Sequence, residues 1–546
     1  MHSVSSRAGP FSPSIRSDLA PARARASARP FARNLVAPRD RAWSPRRPTL
    51  CSRAALRATH PTTSLLARVH TLTMTSSSSS AAAAAAAASS SPSASSDDAL
   101  FLGLDFGTSG ARAVVVDASG DVRHESVAKY PPIVDGGKGG DGIPEGGWSE
   151  AWRGALWTLL DRIPSDISCR VAAVAVDGTS GTVLMVDGAT GEPVYPPMLY
   201  NEKRPDAMPA VEAMAPEGHT VRSATSALCK LHSWWTEQAS DSSDSDSVSG
   251  ARLLHHADWI AYLLHGEMGV TDHNNALKLG FDPAGEGSYP SWLSGAPYAS
   301  TLPARVLPPG TRAGTVASAE ARSRLPEGCV VVAGTTDSVA AFVAARCTSP
   351  GDCVTSLGSS LALKMVSRTR VDDSAKGVYS HRLCGDWLVG GASNLGGWLL
   401  RSHFTDDELA TLTERMDVER MDSDSEDVPD YFPGVLMGFG LTVEEASAAL
   451  QPRPDDDVAF LRAILESIAG VEARSYAALV DMGASHPPAR VFTAGGGAKN
   501  EKWSRVRSRA MGGVPVDKSP YAEAAYGAAL LARMGHYELP TYVPDA

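Results

Sequence analysis

Apolar residues run through Leu100–Leu104, break at Asp105, turn through Gly107-Thr108-Ser109-Gly110 and resume over Ala113–Val116. Two buried-type runs joined by a Gly-containing turn predict a β-hairpin, and 121–130 reads as a third strand. Beyond the Gly-rich stretch 136–147, apolar residues at 152, 156, 159, 160 and 163 fall at helical spacing. They predict a helix over 149–163 with Ser149 as its N-cap. Strands are expected over 170–176, 182–186 and 197–200, with a turn at 188–191. A second apolar–turn–apolar unit occupies 353–366, with Gly358-Ser359-Ser360 at its turn. Around it, 330–332 and 387–389 read as strands and 338–345 as a helix. The carboxy-terminal part alternates: helix 458–482, strand 490–493, helix 500–511, strand 514–517, helix 523–534. Alternation of this kind predicts α/β architecture, with sheets covered by helices.

The two hairpins lie about 250 residues apart, which suggests a duplicated fold with one hairpin per half. Backbone N–H groups in such turns can surround a phosphate, and Thr108, Ser109 and Ser359 add hydroxyl donors. The alternative for each alone is an ordinary Gly-rich hairpin. No G-x-x-x-x-G-K-[ST] run is present, so this is not a P-loop. Asp105, at a strand end, is placed to hold a hydrated Mg²⁺ or a substrate hydroxyl. Asp337 follows the strand in A-G-T-T-D, residues 333–337, and precedes a helix, where it is either a catalytic carboxylate or a helix N-cap. Residues 493–503, T-A-G-G-G-A-K-N-E-K-W, run from a strand through three glycines into a helix. Bare glycine backbone lets a flat adenine approach. Asn500 is then a hydrogen-bond partner for ribose or base, and Trp503 a stacking surface. The alternative is a plain strand–helix turn with Trp503 in the core.

Composition changes the picture at the amino terminus. Residues 1–96 carry thirteen Arg, no Lys and only Asp18 and Asp40 as acids, with the low-complexity runs Ser76–Ser80 and Ala81–Ala88. An Arg- and Ser-rich, acid-poor leader is expected to be an organelle transit peptide, and its length and Ser/Pro content favour a chloroplast stromal destination over a mitochondrial or cytoplasmic one. A disordered tail, or an upstream start with Met74 as initiator, is the alternative. The chain carries −11 in all; without its cationic leader the rest is near −22, which argues against nucleic acid as a partner. No apolar stretch reaches membrane-spanning length. Seven scattered cysteines without a C-x-x-C argue against a disulfide scaffold or zinc site; Cys347 and Cys353 are near enough in sequence to ask whether they form a redox switch. The runs 240–249 and 421–427, rich in Ser and Asp, read as exposed insertions.

The predicted order β-β-β-α-β resembles the ribonuclease-H-like core of actin and the sugar kinases. From about Leu100 to Met534 the motifs together resemble the FGGY family of carbohydrate kinases: D-F-G-T-S-G and S-L-G-S-S as the two phosphate motifs, A-G-T-T-D as the base motif, G-G-G-A-K-N as the adenosine motif, and S-P-Y-A-E-A-A-Y-G-A-A at 519–529 as the carboxy-terminal helix. The resemblance implies two ribonuclease-H-like domains, 98–348 for sugar and 349–540 for adenosine, flanking an ATP/sugar cleft. It implies that Asp337 is the base, and that Asp105 assists Mg²⁺ and contacts sugar. Thr108, Ser109, Gly358, Ser359, Gly496, Gly497, Asn500 and Trp503 would then hold ATP. D-G-T-S-G-T at 177–182 stands where glycerol kinases carry an Arg-Glu pair and bacterial xylulokinases a Met-His pair, and it resembles the cyanobacterial and plant-plastid branch of D-ribulose kinases. Ser180 would bind a ketopentose without a charged clamp. Asn201–Arg204, N-E-K-R, is similar to the family's N-D-x-R, with Glu for Asp, whereas Y-F-P-G at 431–434 departs from the family's G-E-R pattern. A D-xylulokinase, another polyol kinase of the family, and a degenerate nucleotide-binding module are the alternatives.

Overall fold

The computed structural model describes residues 98–132, 147–240, 250–285, 287–418, 428–437 and 441–543. The expected leader and most of both acidic insertions lie outside these residues.

The strands are, in chain order, β1 Leu100–Phe106, β2 Gly110–Val116, β3 Val122–Lys129, β4 Val171–Gly178, β5 Val183–Asp187, β6 Ala251–His255, β7 Val270–Asp272, β8 Arg305–Leu307, β9 Arg312–Thr315, β10 Val330–Thr336, β11 Asp352–Leu357, β12 Leu361–Ser367, β13 Tyr379–Leu383, β14 Asp386–Ser393, β15 Arg490–Ala494 and β16 Val516–Lys518. Twelve of them form two six-stranded sheets, ordered β3-β2-β1-β4-β10-β9 and β13-β14-β12-β11-β15-β16. Each sheet contains the same unit. A hairpin (β1/β2, then β11/β12) continues antiparallel into a third strand (β3, then β14). On its other side the first strand pairs in parallel with β4, or β15, and that strand pairs in parallel with β10, or β16. The predicted duplication is therefore a duplication of topology, a two-domain, ribonuclease-H-like α/β fold, and β9 and β13 are additions at opposite edges.

Burial explains the sequence pattern strand by strand. The seven residues of β1 are all buried, so the strand reads as one apolar run, as a strand covered on both faces must. Edge strand β3 instead alternates between half-buried and exposed residues over Val122–Val127, with Ala128 buried. Between the two sheets lies one core, filled by the helices Asp337–Ala344 and Ala524–Tyr537. It includes Phe101, Val114 and Val330 from the first sheet and Val354, Val366 and Ala494 from the second. The 524–537 helix thus follows the second sheet in the chain but packs on β1 as well. Gly103 permits this: a Cβ there would lie 1.9 Å from the Ala525 carbonyl oxygen.

Two local expectations need correction. The first helix spans Trp148–Asp161 and its N-cap position is Gly147, with no side-chain cap; Ser149 is buried within the first turn. Residues 197–200 form no strand, and only an isolated bridge, Val183 to Met198, remains of the expected pairing.

Candidate active site

Parallel strands that start in register end together, and their carboxyl ends open a crevice. In the first sheet the adjacent strands β1, β4 and β10 end at Asp105, Asp177 and Thr335-Thr336-Asp337. Asp105 lies opposite Asp177 in the β1–β4 register, and Thr335 lies opposite Asp177 in the β4–β10 register. Three carboxylates are thus gathered from positions 72 and 160 residues apart. Asp337 is half-buried and occupies the first helical position, while Thr336 is the N-cap, so the N-cap alternative for Asp337 does not hold. Its Oδ1 accepts the Ser338 backbone N–H at 2.6 Å. Desolvation raises its pKa to about 6, and the Asp105 charge acts in the same direction, against the Ser338 hydrogen bond and the charge of Lys364.

Asp105 is 5% exposed and Asp177 is fully buried. No N–H or hydroxyl donor among the described residues reaches either Asp177 carboxyl oxygen. Burial first, and then the Asp105 charge, push the Asp177 pKa well up. Burial beside Asp105 thus favours the protonated form of Asp177. Asp105 is itself raised by burial, opposed by the neighbouring Asp177 carboxyl and by Arg112, whose Nη1 lies 3.4 Å from Asp105 Oδ2. Arg112 also faces Glu523 at 3.2 Å. A Mg²⁺ held mainly by phosphates and water needs one or two carboxylates, and Asp105, beside the hairpin turn, fits that limited role. No group of three or more His, Cys, Asp or Glu among the described residues could hold a metal by itself.

Ser180 lies beyond β4. Its Oγ is enclosed and has no hydrogen-bond partner. With Thr220, Ser226, Tyr200, Lys278 and Tyr379 it lines a cavity of about 180 Å³. A charged residue, Lys278, thus shares the cavity that the sequence led us to expect without one.

The second sheet offers the same crevice at its own strand ends. There a cavity of about 750 Å³ is lined by Gly358 and Ser359 after β11, by Gly496, Gly497 and Asn500 after β15, by Trp503, and by an apolar wall that includes Leu461 and Leu465. Gly495 makes the turn out of β15 with φ of 81°, and a Cβ there would strike the Leu357 carbonyl oxygen at 2.7 Å. Six of the eight residues expected to hold ATP come together here. Thr108 and Ser109 lie exposed at the tip of the β1/β2 hairpin and are not part of this lining. Two of the expected roles change. Trp503 is 3% exposed, belongs to the apolar core and donates its indole N–H to the Leu465 carbonyl at 3.1 Å, so it backs the cavity wall from within the core. The Asn500 Oδ1 caps the 501–510 helix by accepting the Trp503 N–H at 2.9 Å, and its Nδ2 donates to Thr413 at 3.3 Å.

Sequence reasoning missed Asp177, Lys278 and Tyr379. The first had a signal, an acid at the end of a buried strand; the other two had none, because they meet only in the folded chain. Cys347 and Cys353 are both free and buried. Burial pushes the Cys347 thiol to about 12 and that of Cys353 well up, which leaves little thiolate for redox exchange.

Residues 353–536 match the C-terminal domain of the FGGY family of carbohydrate kinases. Among curated proteins, a xylulose kinase of Streptomyces coelicolor is 31% identical over 307 residues, a match spanning 54% of this chain and 60% of that protein's length. A glycerol kinase of Symbiobacterium thermophilum is 24% identical over 79% of the chain and 88% of its own. Among solved structures, a xylulose kinase from Rhodospirillum rubrum (TM-score 0.62, 22% identity) covers 80% of this chain and 90% of its own. A Plasmodium falciparum glycerol kinase with ADP (TM-score 0.64, 16% identity) covers 82% and 93%; at such identities the likeness is one of fold. Over residues 353–536 the chain is thus similar to the C-terminal domain of FGGY carbohydrate kinases, and over 54% of its length to a xylulose kinase.

Proposed function

We propose that this protein is an ATP-dependent kinase of a ketopentose, with D-ribulose as its substrate and D-ribulose 5-phosphate as its product. The observation that carries the reading is the half-buried carboxylate of Asp337, raised to about 6 at the junction of β10 and its helix, whose charge acts on Tyr379, a wall of the cavity that holds the unpartnered Ser180 and Thr220 hydroxyls. In the reaction a sugar hydroxyl attacks the γ-phosphorus of ATP. The new O–P bond forms as the bond to the bridging oxygen of ADP breaks, ADP leaves with the electron pair, and the hydroxyl proton passes to Asp337. Asp105 orients the sugar and contributes the carboxylate that would hold Mg²⁺, which when bound neutralises phosphate charge. Thr108, Ser109, Gly358 and Ser359 supply donors for the phosphates, and Gly496, Gly497 and Asn500 form the adenosine side. Ser180 offers the sugar one neutral hydrogen bond.

Ribulose is favoured over xylulose because a small hydroxyl side chain, Ser180, occupies the cavity. ADP release from a panel of pentuloses and polyols tests this. D-ribulose is expected to give the highest kcat/KM, D-xylulose a lower one and glycerol little turnover. Equal or better turnover of D-xylulose would overturn the substrate assignment and leave the kinase reading standing.

We also propose that the cationic leader directs the protein to the chloroplast stroma. A reporter fused to residues 1–96 should accumulate there, and a reporter that stays in the cytosol would refute the assignment.

A further inference from the structure

The cavity beside Ser180 is built from both halves of the fold. Ser180, Thr220 and Ser226 come from the first half, and Tyr379 comes from β13 at the edge of the second sheet. Two of its hydroxyls are not spent within the protein: Ser180 Oγ and Thr220 Oγ1 are both buried and unpartnered, whereas Ser226 Oγ accepts the Cys229 backbone N–H; buried polar atoms left unpartnered are normally satisfied by a ligand or water. Lys278 adds an ammonium held 3.9 Å from the Tyr379 ring centroid, a cation–π seat rather than a carboxylate pair. That seat is fixed from behind. Asn274, one turn earlier and fully buried, accepts the Arg382 backbone N–H at 2.9 Å and donates to the Arg382 carbonyl at 3.1 Å. The same Nδ2 donates to Thr335 at 3.0 Å, two residues before Asp337. The strand carrying Tyr379, the segment carrying Lys278 and the strand leading to Asp337 are thus tied together by one side chain.

We propose that Lys278, seated on Tyr379, is a specificity-determining residue that reads the carbonyl oxygen of a ketose substrate. The hydroxyls of Ser180 and Thr220 can each donate or accept, whereas an ammonium only donates. A sugar hydroxyl likewise does both, but a keto oxygen only accepts. In a cavity with several dual groups and one donor-only group, the acceptor-only atom of the ligand belongs on the donor-only group. A hydrogen bond from a charged donor is about twice as strong as a neutral one, so this contact separates a ketose from the polyol that differs from it only at that carbon.

The inference rests on the ketopentose reading and fails separately from it. Calorimetric binding of D-ribulose and of ribitol to the full chain, without ATP, is compared for wild type, Lys278→Met, Lys278→Arg and Tyr379→Phe. Wild type is expected to bind the ketose more tightly. Lys278→Met should weaken ketose binding by at least about tenfold and leave ribitol binding unchanged, erasing the preference. Lys278→Arg should restore part of it, and Tyr379→Phe, which keeps the aromatic seat, should preserve it. Equal weakening of both ligands, an unchanged preference in Lys278→Met, or no preference in wild type would each overturn the assignment. Because Tyr379→Phe and Lys278→Arg are read beside it, a Lys278→Met protein that failed to fold would leave the prediction testable on those two. Failure of the wild-type enzyme to phosphorylate any pentulose would instead sink the ketopentose reading itself.

Discussion

Asp337→Asn is expected to lose at least about 10²-fold in kcat while still binding ATP. The substitution keeps the size and the amide-accepting oxygen that holds the Ser338 N–H, and removes only the ability to take a proton. Positioning and charge neutralisation survive, so binding of nucleotide, measured by calorimetry, should be unchanged. The pH profile supplies the second half of the test. Asp337 acts as a base only when ionised, and burial raises its pKa to about 6. Activity of the wild type should therefore be level above that value and fall as pH drops through it; Asp337→Asn should have no such limb. Asp105→Ala is expected to fail for a different reason: it removes the carboxylate proposed to orient the sugar and Mg²⁺. Full turnover by Asp337→Asn would require the mechanism to be abandoned.

What could be read from the sequence was local. Hairpins with Gly/Ser turns and the acid at a strand end are each written within a dozen residues and each is found in place, while the acid expected before a helix is its first residue. What could not be read depends on strand neighbourhood or on a meeting of distant segments. Asp177 matters because β4 lies in parallel register beside β1, so that two acids far apart in sequence are neighbours and the Asp105 charge adds to burial in raising the Asp177 pKa. Lys278 and Tyr379 meet because β13 is added to the edge of the second sheet, a feature with no counterpart in the first. Trp503 shows a limit of periodicity. An aromatic one turn into a helix after a Gly-rich loop reads equally as a ligand platform or as core, and only its enclosure among Leu465 and its neighbours decides the matter. The domain division is similar. The sheets separate between β10 and β11, yet the last helix packs in the core between them, since an Ala- and Gly-rich face allows the close approach at Gly103.

The largest expected effect on stability lies beneath the cavity of the second sheet and away from the proposed reacting groups. Arg507 and Glu472 are each about 1% exposed. The guanidinium grips the carboxylate with two hydrogen bonds, Nε to Oε2 at 2.6 Å and Nη2 to Oε1 at 2.7 Å, and its Nη1 donates to Thr493 on β15 at 2.6 Å. Thr355 on β11 donates to Glu472 and faces Tyr476 at 2.9 Å. One network, in which each Arg507 side-chain nitrogen and both Glu472 oxygens are hydrogen-bonded, therefore ties the helices Asp457–Asp481 and Glu501–Ala510 to the two strands whose ends build the cavity. A buried pair contributes little net stability compared with a well-packed apolar substitute, because desolvation offsets the attraction. Removing one partner is different, since it leaves a buried charge unpaired at a cost of about 3–5 kcal/mol. Glu472→Ala and Arg507→Ala should each destabilise the chain on that order in denaturant unfolding. Each should also weaken ATP binding before global unfolding, as β11 and β15 lose their common tether. Thr493→Val, which removes a single hydrogen bond, should cost about 1 kcal/mol. The double variant Glu472→Leu/Arg507→Met removes both charges together and should recover much of the loss. If the double variant were as unstable as the two single ones combined, the unpaired charge would not be the cause, and packing in this layer would have to account for the effect.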